Sequence, residues 1–249
     1  MKIGVGVKLL KKAILDSLFP LFCLKCREEG SWLCEICLGE TKILDFQVCP
    51  ACEKNITDKG LLCFSCRDSG KSRLDGLIAA VSYEDPVLKK LVHNFKYRFI
   101  GDISLPLAKL VAKALVRNDF PLPNLIVPVP LHPKRLRWRG FNQSLLLAAH
   151  ISEEIAPLLK MEVSDILERK KYNQPQMNVK NYQQRLRNVQ NIFGLKSDVH
   201  PDTIKNKHIL LIDDIATTGA TLEQCAKVLK SAGAKKVSAA VVARQSVQK

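Results

Sequence analysis

The chain has no hydrophobic run of transmembrane length. It also has no small-residue cleavage site behind its N-terminus, and the apolar residues of MKIGVGVKLLKKAILDSLFP are interrupted by Lys8, Lys11, Lys12 and Asp16, which excludes a secretory signal. A cytoplasmic protein is the resulting expectation. The GVGV at the start lacks the third glycine and the preceding strand of a dinucleotide loop, so that function is excluded too. Leu10, Ile14 and Leu18 recur at four-residue spacing instead, and residues 1–19 read as an amphipathic helix. Such a helix packs on the next domain or touches a membrane surface. Acidic residues are in short supply: 24 Asp and Glu stand against 39 Lys and Arg, leaving a net charge of +15. That excess either serves solubility alone or creates a field for polyanions, namely nucleic acid, phosphorylated metabolites or an anionic membrane. There is no low-complexity segment and no internal repeat beyond a cysteine pattern. With 249 residues, 47% of them hydrophobic and 25% charged, the chain can build a real core in one large domain, or in one domain with an appendage.

Eight of the nine cysteines form four CxxC pairs, Cys23/Cys26, Cys34/Cys37, Cys49/Cys52 and Cys63/Cys66. A CxxC knuckle sets two thiolates along one edge of a tetrahedron, and two knuckles close a four-sulfur zinc site, so eight ligands imply two structural zinc ions. A disulfide framework needs an oxidising compartment, and a redox CxxC is single and sits on a βα unit. Sequential pairing of the knuckles is the simplest arrangement; a crossed one stays open. Residues 20–70 hold little else that could form a core, so metal binding supplies much of their folding free energy. Lys25, Arg27, Lys54 and Arg67 lie beside the knuckles, where they either reach phosphates or have no role because the module is a staple. Cys225 stands apart in a helical pattern and reads as a small buried residue.

From Ser72 the pattern alternates strands and helices. DGLIAAVSY, LIVPVP, a short run near Ile166, HILLIDD and KKVSAAVVA read as strands. PVLKKLVHNFKY, ISLPLAKLVAKALVRN, FNQSLLLAAHISEEIAPLL, VKNYQQRLRNVQNIF and the segment ending at Ala232 read as helices. This alternation predicts an α/β fold with a mostly parallel sheet flanked by helices over 71–249. The run LLIDDIATTGAT is unusual within it. An apolar strand stops on Asp213 and Asp214, and a turn of small and hydroxyl residues then leads into a helix. Free N–H groups and the dipole at such a junction attract an anion. Thr217, Thr218 and Thr221 add donors, while Gly219 lets the backbone approach closely. Two carboxylates would repel that anion, so they need hydroxyls to accept from. A ribose 5-phosphate carries both features.

ILLIDDIATTGATL resembles the phosphoribosyl pyrophosphate (PRPP) signature of type I phosphoribosyltransferases. In that resemblance Asp213 and Asp214 hold the ribose hydroxyls, and Ala216, Thr217, Thr218, Gly219, Ala220 and Thr221 wrap the 5-phosphate. VPVPLHPKRLRWRGFNQS, HNFKYR and ERKKYNQPQMNVKNYQQRLRN are similar to segments of the ComF family of competence proteins. That family joins a double zinc-ribbon module to a phosphoribosyltransferase-like domain, and the likeness runs from Phe22 to Arg244. VPVP ends a strand where a pyrophosphate could lie, and Arg135, Arg137 and Arg139 follow with guanidinium forks suited to phosphate oxygens of pyrophosphate or DNA. Arg169, Gln176 and Arg185 are further polar residues approaching that edge; any of these arginines could equally belong to a solvated basic face.

The resemblance implies two readings. In one, the protein binds a phosphoribosyl ligand, PRPP or a nucleotide, and assists the handling of incoming single-stranded DNA alongside proteins of the uptake machinery. In the other, it is a working phosphoribosyltransferase with Mg²⁺ on the leaving pyrophosphate and Asp213 or Asp214 as a candidate catalytic base. The sequence displays no pocket for a base or ammonia as acceptor.

Overall fold

The computed structural model describes residues 20–97, 100–158, 161–170 and 192–245. In chain order these form α1 (Glu35–Gly39), β1 (Gln47–Val48), β2 (Ile56–Thr57), α2 (Phe64–Asp68), β3 (Gly76–Ser82), α3 (Pro86–Tyr97), α4 (Ser104–Arg117), β4 (Leu125–Pro128), α5 (Pro133–Arg139), α6 (Gln143–Ile155), β5 (Leu167–Arg169), β6 (Phe193–Leu195), β7 (His208–Ala216), α7 (Ala220–Ser231) and β8 (Lys236–Arg244). The long apolar runs pair in parallel in the order β3-β8-β7-β4. Both faces of this sheet are covered, which is why its strands are apolar at nearly every position rather than alternating. Leu210, Ile212, Ala240 and Val242 pack with Leu91 and Phe95 of α3, Leu107 and Val111 of α4, and Leu147 and Ile151 of α6. Ile209, Leu211, Ala239 and Val241 pack with Leu222, Cys225 and Leu229 of α7 and with Leu167 and Phe193. Cys225 is thus a buried filler in the second layer, and burial pushes its thiol pKa up.

Two elements differ from the sequence reading. The strand expected to stop at the acid pair continues to Ala216, because Ile215 and Ala216 still pair with Ala243 and Arg244 of β8. Ile192 and Phe193, expected at the end of a helix, lie outside any helix, and Phe193 enters β6, antiparallel to β5. Buried Phe193 meets Leu167 and the Arg169 guanidinium there, so packing overrides the helical spacing. The rest of that expected helix, which includes Arg185, lies outside the described residues, as do Gln176 and the expected 1–19 helix. Among the described residues no helix is long and apolar enough to cross a membrane.

The cysteine-rich segment is folded onto the sheet. Leu33, Leu38 and Ile43 belong to the same core as α3, α4 and α6, so this region has more apolar material than its sequence suggested. The segment also covers the outer edge of β3. The Leu44 N–H donates to the Ala80 carbonyl, and the Leu62 N–H to the Asp75 carbonyl. Between them, buried Gln47 stands in for a strand: its Nε2 donates to the Ala79 carbonyl at 3.0 Å, and its Oε1 accepts from the Ala79 N–H at 2.9 Å. Gly60 has φ +63 and lies so close to β3 that a Cβ there would stand 2.1 Å from the Leu77 carbonyl oxygen.

Replacing Gln47 by Leu keeps the bulk but strands one buried donor and one buried acceptor on β3. The expected destabilisation is on the order of 2–4 kcal/mol, visible as a lower urea midpoint with an unchanged slope.

Candidate functional site

The carboxyl edge of the parallel sheet gathers three strand-to-helix junctions. β7 delivers Asp213 and Asp214 just before its end. β4 runs out through Val129, and the chain then forms α5 and α6. Asn142 fixes the entry to α6: its Nδ2 donates to the Val129 carbonyl, and its Oδ1 accepts from the Ser144 N–H at 3.1 Å as the helix N-cap. α3, which follows β3, ends at Lys96 and Tyr97.

The start of α6 and the end of α3 meet at the acid pair. Asp213 Oδ1 accepts from the Ser144 hydroxyl at 3.0 Å and from the Asp214 N–H at 2.9 Å. Lys96 Nζ lies 2.8 Å from Asp214 Oδ1, with both side chains largely shielded from water. Burial lowers the Lys96 pKa, but the Asp214 carboxylate outweighs it and the net shift is upward. For Asp213 the balance is reversed. Burial and the neighbouring Asp214 charge push its pKa up to about 7, against the pull of Lys96 and of the Asp214 N–H and Ser144 hydroxyl. The pair is therefore divided: Asp214 is ion-paired, and Asp213 is poised near neutrality.

The turn after Ala216 has the shape its composition suggests. Gly219 is left-handed, with φ +68 and ψ 0, and caps α7. A Cβ at Gly219 would meet nothing within 4 Å, so the turn faces open space. Thr217 is exposed, Thr218 and Thr221 are half-buried, and Ala220 is buried. The first N–H groups of α7 have no partner inside the helix by geometry, and they open on this turn.

The three arginines singled out in the sequence lie on α5 but not in equivalent environments. Arg137 is exposed, Arg135 is half-buried, and Arg139 is only 8% exposed. The Arg139 guanidinium is 5.8 Å from the centre of the Tyr97 ring and 6.0 Å from that of Trp138, and its Nε has no partner. Burial lowers its pKa, partly offset by the charges of Asp214 and Tyr97. Gln143, 2% exposed beside Ser144, also leaves its Nε2 unpartnered. Arg169 lies over Phe193 on β5. Lys96, Ser144 and Gln143 had no role in the sequence reading, although HNFKYR and FNQS were noted. Their signal was positional, each segment lying at a helix terminus on this edge.

The cysteines form two sets, Cys23/Cys26/Cys34/Cys37 and Cys49/Cys52/Cys63/Cys66, with all sulfurs of a set within 4.8 Å of one another. The pairing is sequential. Both sets are built alike. Arg27 and Glu53 take positive φ directly after the second cysteine, and their N–H groups donate to the carbonyls of Cys23 and Cys49. Cys34 and Cys63 cap the short helices α1 and α2. Zinc–sulfur bonds of about 2.3 Å put tetrahedral sulfurs ~3.8 Å apart; Cys26–Cys34 at 3.6 Å and Cys52–Cys63 at 3.9 Å fit that edge. Each set can hold one zinc ion. Among the flanking cations, Lys25 pairs with Glu40 at 2.6 Å and Arg67 donates to the Leu62 carbonyl, which suits a staple.

The Asp213 environment has a measurable cost. Its folded pKa, about 7, exceeds the ordinary 3.8. Between those values the folded chain keeps a proton that the unfolded chain has released, so stability falls as pH rises through that window. Asp213→Asn keeps an acceptor for Ser144 and removes the charge. It should stabilise the protein by on the order of 1–3 kcal/mol at pH 8 and leave it nearly unchanged at pH 4. Thermal unfolding at the two pH values checks this.

Comparison with known proteins follows the same lines. A phosphoribosyl transferase domain model matches residues 142–249. The chain is 30% identical over 223 residues to the DNA utilization protein YhgH of Escherichia coli K12, covering 86% of this chain and 93% of that one. It is 28% identical over 235 residues to competence protein F of Haemophilus influenzae, with 91% and 98% covered. With competence protein ComFC of Streptococcus pneumoniae it shares 32% identity over 216 residues, with 86% and 88% covered. A parallel sheet carrying the acid pair and hydroxyl-rich turn, preceded by two four-cysteine sets, is the architecture of a type I phosphoribosyltransferase fold with an N-terminal zinc-ribbon module, and the chain belongs to the ComF family of competence and DNA utilization proteins.

Proposed function

We propose that the protein binds a phosphoribosyl ligand, PRPP or a nucleotide, at the β7–α7 junction and assists the handling of incoming single-stranded DNA. The observation that carries this reading is the divided acid pair beside an open, hydroxyl-lined turn. Asp213 and Asp214 accept the vicinal ribose hydroxyls, and the turn from Ala216 to Thr221 takes the 5-phosphate through backbone N–H and hydroxyl donors. Lys96 offsets enough acidic charge for an anion to approach. Arg135 and Arg137 on α5 offer cations to a pyrophosphate or a DNA backbone, and Arg139 stands behind them. The net charge of +15 supports a polyanionic partner, and the names of the relatives connect them with competence and DNA utilization. Proteins of the uptake machinery are the expected protein partners. The raised pKa of Asp213 favours a second reading, a transferase in which this carboxylate takes the acceptor's proton.

Two metals enter differently. Zinc is the structural ion of both cysteine sets. Magnesium would arrive with a pyrophosphate ligand, since among the described residues the groups able to hold a metal through three or more Cys, His or carboxylate ligands are the two cysteine sets. Purified protein should carry about two zinc ions per chain. Chelation should lower the melting temperature of the whole chain and not melt the module alone, because the module seals β3. One zinc per chain, or iron, would refute this assignment.

Calorimetry with phosphate, ribose 5-phosphate and PRPP tests the ligand reading. Replacing both aspartates by Asn should cost on the order of 1.5–3 kcal/mol per lost charge-assisted bond for the two ribose ligands. Plain phosphate should bind equally or slightly tighter. Because a protonated Asp213 accepts poorly, ribose ligands should gain affinity as pH rises through about 7, and the Asp213→Asn variant should lose that gain. Plain phosphate, whose own titration is the control, should show no such difference between the two proteins. Equal losses for all three ligands would mean the aspartates only shape the turn.

A further inference from the structure

Beside the acid pair the protein displays two large aromatic rings that belong to neither core cluster of the sheet among the described residues. Tyr97, the last residue of α3, is 52% exposed, and Trp138 of α5 is 58% exposed. Their rings are 6.3 Å apart, inclined at 62°, and His93 adds a third ring 4.9 Å from Tyr97. Exposing this much aromatic surface is unfavourable unless something covers it. Arg139 lies within cation–π distance of both rings, yet is itself buried with its Nε unpartnered, a cost that a ligand acceptor would remove. The surroundings select the occupant. Lys134 and Arg137 on the same helix are exposed and Arg135 is half-buried, so an apolar protein partner would have to cover a cluster of cations. A polyanion with flat apolar groups would meet both needs.

We infer that Tyr97 and Trp138 form a base-stacking shelf for single-stranded nucleic acid, with Arg139 and the α5 cations holding its backbone. This inference deepens the single-strand half of the function proposed above and rests on it. Every base has a π-face, so the shelf takes unpaired strands with little regard to sequence. A duplex keeps its faces stacked internally and does not offer them. Tyr97 directly follows Lys96, the partner of Asp214, so the shelf adjoins the sugar-phosphate junction. A strand engaged at the junction would therefore present its neighbouring base to the rings.

Trp138 reports on this directly, because the chain's other tryptophan, Trp32, can be replaced by Phe. In the Trp32→Phe background of the full-length protein, oligo(dT) should quench the remaining fluorescence. It should also bind about 10- to 100-fold tighter than an abasic strand of equal length and charge, the range expected for stacking one or two bases. With Trp32 restored and affinity read from a labelled strand, Tyr97→Leu together with Trp138→Leu keeps apolar bulk without π-faces. This variant should bind oligo(dT) only as well as the abasic strand, with the same salt dependence for both. Trp138→Phe in that format should keep most of the preference. Equal wild-type affinity for dT and abasic strands would overturn the shelf and leave charge as the whole of the binding. No oligonucleotide binding at low salt would overturn both the shelf and the DNA-handling role, while PRPP calorimetry on the same preparation would still report on the phosphoribosyl reading. A Leu variant that still prefers dT over the abasic strand would place the stacking elsewhere.

Discussion

The exposed edge of β3 is the constraint on which this structure depends. A four-stranded parallel sheet ends in strands with unpaired N–H and carbonyl groups, and such an edge is a template for unwanted pairing. Here the cysteine-rich module covers the edge piece by piece: Leu44 and Leu62 through their backbones, Gln47 through its side-chain amide, and Gly60 by direct backbone approach. The module is small and short of secondary structure, so its own geometry has to be held by another means. Two metal sites with sequential knuckles would supply it. The fold would then be sealed by a segment that metal makes rigid, which gives the two cysteine sets a structural role.

A second consequence of the covered sheet is that polar chemistry is confined to its carboxyl edge. Both faces are occupied by aliphatic layers, and among the described residues Asp214 is the carboxylate least exposed to water, with Asp213 half-buried beside it. A buried carboxylate is costly without a partner. Lys96 reduces that cost by pairing its charge with Asp214, while the Ser144 hydroxyl donates to Asp213 beside it. The remaining strain rests on Asp213, whose charged form is disfavoured by its neighbour.

Much of this was legible in the sequence because it is written in local patterns. Each long apolar run became a strand, CxxC spacing gave the two metal sets, and an acid pair before a Thr-Thr-Gly turn marked the junction. What stayed hidden depends on partners distant along the chain. Lys96 lies more than a hundred residues before Asp214, and nothing in HNFKYR says which carboxylate it meets. Gln47 reads as an ordinary polar residue until Ala79 is placed opposite it. Arg135, Arg137 and Arg139 alternate identically in sequence, yet the helix turns them to different sides, so one is buried, one half-buried and one exposed. Phe193 was misread because a helical spacing and a short strand share the same apolar residues, and the choice lies in pairing with β5.

The module and the junction are also joined mechanically, in two places. Arg244 ends β8, where it pairs with Ala216 immediately before the turn, and the Gln245 N–H donates to the Ala216 carbonyl. The Arg244 side chain reaches back into the second cysteine set, donating to Glu53 at 2.8 Å and to the Pro50 carbonyl. Shielded from water, this pair is not the weak contact that a surface ion pair would be. On the other side of the turn, Glu223 in the first turn of α7 accepts from the Arg73 N–H at 2.7 Å and from the Ser72 hydroxyl, in the linker that leaves the module. Both ends of the β7–α7 turn are therefore tied to the N-terminal part of the chain, one to the second cysteine set and the other to the linker that follows it. Loosening the second cysteine set would release the Arg244 side chain, while β8 keeps its backbone pairing with β3 and β7. The second cysteine set thus reaches the β7–α7 turn through the shielded Arg244–Glu53 pair, without supplying any atom to it.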